Sequence, residues 1–428
     1  MNAPNLKLYT PKEIDMKKFL ILTSLIISVN ILAQSSSPYS RYGIGDLKYS
    51  FSPRYQALGQ LGVSIQDKYH ISTINPATWT NFDRTKIEFA MGYNGVLIQA
   101  KNKKSFSAET EVEGLSFGFP ISEDLGIGFA AGIIPISRIS YLTKQNISNP
   151  DSLISNYDLT FEGKGGLSKI FLGTSVKVPF DWSLGASFDY YFGNLRYISS
   201  IIFNNNSNFS SVYELIYRPT GFGLTFGILS ADLKNTINLK SLSNLRLGAS
   251  INYFSTLNTD SVIISKSSVL IDTVAFYNAD MKLPARFNIG LSFTVFNRYL
   301  FTFDYSSQAF SNYKIFLKKN DNLQNSYKIS TGFELQPDND IVSKFWERVF
   351  YRFGLSYEKT PYKVFDIGIE QYSISGGITL PINPDNLVDI ALQYSVRGTN
   401  DKNLLKENFF ILNLSIIFNE LWFLRIEK

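Results

Sequence analysis

Between residues 86 and 418 one pattern recurs fourteen times: large apolar side chains alternate with small or polar ones. From Val388 the positions Val388, Ile390, Leu392, Tyr394 and Val396 are separated by Asp389, Ala391, Gln393 and Ser395. Leu184, Ala186, Phe188, Tyr190 and Phe192 likewise flank Ser183, Gly185, Ser187 and Asp189. The segments 299–306 and 351–358 behave in the same way. So do 87–94, 115–119, 125–133, 170–178, 222–228, 245–253, 287–295, 327–335 and 410–418, and more weakly 368–380. Successive side chains of a strand point to opposite faces, so a period of two predicts strands and argues against amphipathic helices. The chain is therefore expected to be all-β.

The N-terminus predicts export. Met16-Lys17-Lys18 precedes an uncharged apolar run from Phe19 to Leu32, and Ala33-Gln34 leads into Ser35-Ser36-Ser37. A basic start, a short apolar run and a small-residue exit describe a secretory signal peptide, here residues 16–34. The run has fourteen residues, short of the roughly 20 that a membrane helix needs. Residues 1–15 are polar, fit no part of a signal peptide and are read as an upstream extension, with Met16 the expected start. Beyond Ala33 no apolar stretch approaches 18 residues without a charge. An exported all-β chain of this kind is a secreted soluble protein or an outer-membrane barrel.

Strand length and connections favour the barrel. Alternation extends over ten or more residues in several segments, as a tilted membrane strand of about 9–11 residues requires; soluble strands average about 5–6. Breaks at 120–124, 179–182, 231–243, 296–298, 337–349 and 381–386 fall in one phase. Those at 101–107, 143–155, 203–211, 256–280, 311–325, 359–365 and 398–406 fall in the other. The count predicts a 14-stranded antiparallel transmembrane β-barrel over residues 86–418, with an even strand number placing both ends in the periplasm. Residues 35–85 lack clear alternation and are too long for a simple tail, so they are expected to fold into the lumen as a hatch. Residues 419–428 remain as a periplasmic tail.

Composition removes most chemistry. The chain has no Cys and a single His, which excludes disulfides, thiol nucleophiles, Cys-zinc sites and a multi-His metal centre. The 41 basic and 36 acidic residues leave a net charge of +5 without a dense Lys/Arg block, so no nucleic-acid partner is expected. His70 lies in the hatch interval and no strand carries a His; a hydrolase triad on the wall is excluded, and neither enzyme activity nor a cofactor is expected.

Two features of the small-residue face bear on the lumen. Gly92, Gly118, Gly128, Gly173, Gly185, Gly248, Gly290, Gly332 and Gly354 sit between large apolar neighbours; they make room for another backbone or relieve curvature of the wall. Asp189, Arg246, Asp304, Glu334, Arg352, Glu358, Asp389 and Arg397 put both signs of charge on the same face, paired or solvated within the lumen or in contact with a plug.

At this point the residues resemble a known family. Asn75-Pro76-Ala77 before strand one, Phe161-Glu162-Gly163 with Gly165-Gly166, Leu283-Pro284-Ala285-Arg286 opening a strand, and Tyr351–Tyr362 with its Lys359-Thr360-Pro361 break are similar to features of the FadL family of outer-membrane transporters for hydrophobic compounds. The opening Ser37-Pro38-Tyr39-Ser40-Arg41-Tyr42-Gly43-Ile44-Gly45-Asp46 resembles a divergent branch of gliding and gut-associated diderm bacteria. The resemblance implies an outer-membrane location and passive uptake of hydrophobic, fatty-acid-like small molecules past the hatch, with exit sideways through the wall. It also implies an alternative, since some relatives are scaffolds or shuttles in type IX protein secretion. The partners expected are outer-membrane lipid, a hydrophobic small molecule, and other outer-membrane or secretion proteins. The hatch motif is Asn75, Pro76 and Ala77. Tyr39, Tyr42, Phe51 and Tyr55 are candidates for a ligand path or for packing of the hatch against the wall.

Overall fold

The computed structural model describes residues 37–101, 103–148, 156–203, 209–234, 241–267, 271–315, 318–337, 344–383 and 385–420. The expected signal peptide, the segment before it and residues 421–428 of the tail lie outside them.

Fourteen antiparallel strands are described. In order they are β1 (Thr85–Ala100), β2 (Lys103–Ser122), β3 (Ile127–Pro135 and Ser137–Ile147), β4 (Tyr157–Val178) and β5 (Trp182–Phe203). Next come β6 (Ser211–Leu229), β7 (Leu242–Phe254 and Leu257–Ser267), β8 (Ile271–Lys282 and Arg286–Val295) and β9 (Tyr299–Gln308). The last five are β10 (Ser326–Leu335), β11 (Phe350–Val364), β12 (Ile367–Pro381), β13 (Leu387–Gly398) and β14 (Lys406–Glu420). Each pairs with its neighbours in sequence. β1 closes the cylinder by pairing with β14 from Thr85↔Glu420 to Gln99↔Lys406. Every segment picked out by alternation falls in its own strand, except that Leu125 and Gly126 of 125–133 lie in the turn before β3.

Many strands are longer than a membrane requires. β4 and β5 have 22 residues each and pair along their whole length, Tyr157↔Phe203 to Val178↔Trp182. Residues 256–280, expected to be a connection, are mostly strand: Leu257–Ser267 pairs with Ile271–Lys282. That hairpin carries Asp260, Asn278 and Asp280, so its alternation of polarity is weak although its backbone ladder is intact. Lys359-Thr360-Pro361 does not end a strand either; β11 runs through it with a register shift between Lys359 and Lys363. A proline is accommodated there because the ladder is already interrupted.

Large residues point outward. Phe188, Phe226, Ile289, Phe353, Leu355 and Leu392 are exposed, whereas Ser187, Asp189, Asn288, Arg352, Gln393 and Ser395 are buried. The lumen is occupied by residues 37–84. This segment contains a 3-10 turn Pro38–Arg41, a two-residue strand Asp46–Leu47, a short helix α1 (Pro53–Ala57) and a second 3-10 turn Pro76–Asn81. It starts at the end of the barrel distal to β1's entry, where Ser37 N donates to Ser140 O at 2.8 Å. It leaves at the opposite end into β1.

Candidate functional site

The site is the interface between the N-terminal segment and the inward face of the wall. Its lower part, next to the chain's entry into β1, is built on the Asn75-Pro76-Ala77 turn. Pro76 fixes its own φ at the first helical position and keeps Asn75 extended. The Asn75 carboxamide oxygen accepts from Ala77 N at 3.0 Å, and its amide donates to Val63 O at 2.8 Å and Ile228 O at 3.2 Å. One side chain thus caps the turn, ties it to an earlier loop and fixes it to β6. All three residues are buried.

Seven of the nine glycines picked out in the sequence face this segment. A Cβ at Gly248 would lie 2.7 Å from Val63 O, and one at Gly332 would lie 2.9 Å from Leu58 Cβ. Gly128 abuts Trp79, Gly185 abuts Pro76 and Ala77, and Gly354 abuts Gly59, each backbone against backbone. Gly118 meets Phe82 and Gly290 meets Val63. Gly92 and Gly173 face only other wall residues. Most of this glycine row is a bed for the segment.

The wall's charges do the rest. Of the eight inward charges read from the sequence, five bond the segment directly. Asp304 accepts from Gly62 N at 3.1 Å and Val63 N at 2.9 Å. Glu334 accepts from Arg54 at 3.0 Å and from Arg352 at 2.6 Å. Asp389 meets His70 Nε2 at 2.7 Å, while Asp67 meets His70 Nδ1 at 2.5 Å and also pairs with Arg54. Glu358 accepts from the Tyr49 hydroxyl at 3.0 Å and from Lys328 at 3.2 Å. Arg397 donates to Asp46 at 2.6 Å and to Glu407 at 2.7 Å. Removing one member of such a buried pair costs about 3–5 kcal/mol. His70 is a buried tie between segment and wall, and among the described residues no cluster of three metal-ligating side chains is formed.

The four aromatic residues proposed for a ligand path fall into three separate clusters. Tyr39 and Tyr42 belong to an aromatic cluster at the distal end with Tyr191, Tyr313 and Tyr362. The Tyr39 hydroxyl donates to Leu405 O at 2.8 Å, and its ring stacks on Tyr362 with centroids 6.3 Å apart. Phe51 packs with Ile71, Trp79 and Phe171, and Tyr55 with Leu58, Ile65 and Leu300. Burial pushes the phenols of Tyr39 and Tyr55 up to about 12, so both stay neutral. A luminal cavity of about 110 Å³ is lined by none of the four and mixes polar Lys48, Gln60 and Glu111 with apolar Leu47, Phe409 and Ile411. A second, of about 30 Å³, touches Thr73, Lys169 and Arg286. Roomier apolar depressions of about 800 and 1000 Å³ lie on the outward face around Phe226, Phe287, Leu355 and Ile374.

One feature of the wall escaped the sequence reading. β3 bends at Ile136, whose N donates to Leu167 O at 2.9 Å beside Gly165 and Gly166, both at positive φ. Below the bend β3 pairs with β2, from Leu115↔Ile133 to Ser122↔Ile127. Above it β3 pairs only with β4 and, through Arg138 and Ser137, with Asp46 and Leu47. The distal half of the β2–β3 ladder is therefore missing among the described residues. Side chains span the seam: Arg138 pairs with Glu109 at 2.8 Å and with Glu111, and Lys48 pairs with Glu111 at 2.6 Å and Glu113 at 2.7 Å. Burial alone would lower the Lys48 pKa, but Glu113 and Glu111 outweigh it and hold the ammonium above its ordinary value. Three carboxylates at period two, Glu109, Glu111 and Glu113, are the sequence signal that marks this place.

Comparison with known proteins gives two findings. The family described as BamG matches residues 16–427. Among solved structures, the Ralstonia pickettii toluene transporter TbuX aligns with a TM-score of 0.61 at 13% identity, covering 87% of this chain and 99% of that one. The Pseudomonas putida toluene transporter TodX gives 0.57 at 14%, covering 87% and 99%. A Pseudomonas aeruginosa FadL homologue gives 0.57 at 11%, covering 90% and 100%. The likeness is one of fold: a 14-stranded antiparallel β-barrel. No curated protein matches the sequence.

Proposed function

The chain belongs to the BamG family, and on that premise we propose that it is an outer-membrane barrel of a diderm bacterium with a closed lumen, acting as a scaffold or shuttle partner of other outer-membrane or secretion proteins, as in type IX protein secretion. The observation that carries this reading is the polarity of the filled lumen. A hydrophobic solute would have to cross a layer holding Arg54, Asp67, His70, Glu334, Arg352 and Asp389, all buried and mutually bonded. The cavity of about 110 Å³ is smaller than the roughly 150 Å³ that accommodates benzene, and its lining mixes Lys48, Glu111, Glu113 and Arg138 with Leu47, Phe409 and Ile411. A barrel closed in this way acts through its surfaces.

A second reading is favoured by the incomplete β2–β3 ladder. In it residues 37–84 are a hatch that shifts to admit a hydrophobic, fatty-acid-like molecule, Asn75, Pro76 and Ala77 form the hinge of that hatch, and Tyr39, Tyr42, Phe51 and Tyr55 come to line the path. Uptake separates the two. In a diderm host deleted for its own fatty-acid channel, expression of this protein should leave entry of radiolabelled oleate and toluene at the vector-only level. Uptake clearly above that level would establish the channel reading and overturn the first.

A further inference from the structure

The seam has one free edge. Lys103 to Gly118 of β2 pair with β1 on one side. On the other side β2 has a ladder only from Leu115 to Ser122, so residues 103–113 present unpaired backbone there among the described residues. A free strand edge is a template for another strand. The side chains on this edge are sorted by face. Glu109, Glu111 and Glu113 point toward the lumen, while Phe106 and Val112 are each 58% exposed on the outer wall.

The protein's own chain already imitates part of an occupant. The two-residue strand Asp46–Leu47 adds to the facing edge at β3. The next residue, Lys48, delivers its ammonium to Glu111 and Glu113. The imitation is incomplete, because Glu109 Oε1, an acceptor, is buried without a partner. Two residues of strand supply one cation and leave the β2 backbone unmet.

We propose that the edge at residues 103–113 is a docking site for an extended segment of another outer-membrane protein. The segment adds a strand to β2, with basic side chains turned toward Glu109, Glu111 and Glu113 and apolar side chains turned to lipid beside Phe106 and Val112. Main-chain hydrogen bonds supply the affinity and the alternating side chains the specificity, as in other strand-addition complexes. This inference rests on the partner reading above and names the chemistry of the partner.

The absence of cysteine makes the test clean. Thr110→Cys, on the outward face of the edge, is labelled with a benzophenone maleimide in the detergent-solubilised full chain. The probe is a peptide of about nine residues, the length of a membrane strand, alternating Lys and Val. Photo-crosslinking at Thr110→Cys should saturate with peptide. It should exceed that of a label at Tyr394→Cys, on a strand paired along both edges, by about tenfold, equivalent to about 1.4 kcal/mol. The same peptide N-methylated at alternate residues, or built from Glu and Val, should crosslink no more than the Tyr394→Cys control. A second variant, Glu111→Gln with Glu113→Gln in the Thr110→Cys background, should lower crosslinking of the Lys and Val peptide toward the Tyr394→Cys level. Equal crosslinking at the two labels, equal capture of the N-methylated peptide, or capture by the label of residues preceding Ser37 of the same chain would overturn the proposal. Absence of oleate uptake together with absence of peptide docking defeats this inference alone, whereas oleate uptake defeats the partner reading beneath it.

Discussion

The two faces of one strand differ more than any two strands do. On β13, Leu392 is 60% exposed and Gln393, its neighbour, 5%. Leu392 belongs to a row of large apolar side chains that nothing among the described residues covers. Gln393 accepts a hydrogen bond from Gln60 at 2.8 Å and belongs to a face of Gly, Ser and paired charges. A soluble sheet would bury the first row and hydrate the second. Here the order is inverted: the large row is left uncovered, and the small and polar row lies against residues 37–84. The small residues are inside because a backbone must lie against them, and the charges are inside because that backbone and its side chains need partners.

This contrast can be broken from either face. The largest effect is expected at the ionic layer. Glu334→Leu leaves the guanidiniums of Arg54 and Arg352 buried without their shared carboxylate, a loss of about 3–5 kcal/mol. Limited proteolysis should then cut within residues 50–70 while the native protein resists; equal resistance would show that the ionic layer does not hold the segment. Next comes the outer face. Leu392→Arg should cost about 2–4 kcal/mol near mid-membrane, while Gln393→Arg is tolerated far better. Heat-modifiable gel mobility reports the folded barrel, and equal harm or the reverse order would refute the assignment of faces. The smallest effect concerns the glycine bed. Gly248→Ala meets Val63 O at 2.7 Å and should cost about 1–3 kcal/mol by overpacking. Gly376→Ala has only Arg352 O nearby, at 3.6 Å, and should change stability by less than about 0.5 kcal/mol. Matching midpoints in denaturant for the two variants would remove close approach as the reason for the row.

Much of the wall was legible in the sequence because period two is imposed by backbone geometry and survives whatever the solvent is. The strands follow from that period and their count from the phase of the breaks between them, whereas the outward direction of Leu392 follows only once export and strand length have favoured a barrel. The long distal extensions were not legible. In the hairpin around Asp260 and Asn278 both faces are wet enough that polarity no longer alternates, though the ladder continues. The pairing of Glu334 with Arg54 joins residues 280 positions apart, and no local pattern encodes such a partner. The missing β2–β3 ladder depends on a bend at Ile136 that one apolar residue does not announce. The run Glu109, Glu111, Glu113 was a signal left unread: three carboxylates on one inward face require nearby cations, and Lys48 and Arg138 are those cations.

If residues 37–84 close the lumen, permeability must depend on them. Liposomes carrying the intact protein, and liposomes carrying a form deleted for residues 37–80, can be compared for flux of a small polar solute such as arabinose, after gel mobility has verified a folded barrel in each. The intact protein should pass the solute no faster than protein-free lipid, and the deleted form well above that level. Flux through the intact protein above the lipid background, or a folded deletion form that remains as tight as the intact one, would contradict the claim.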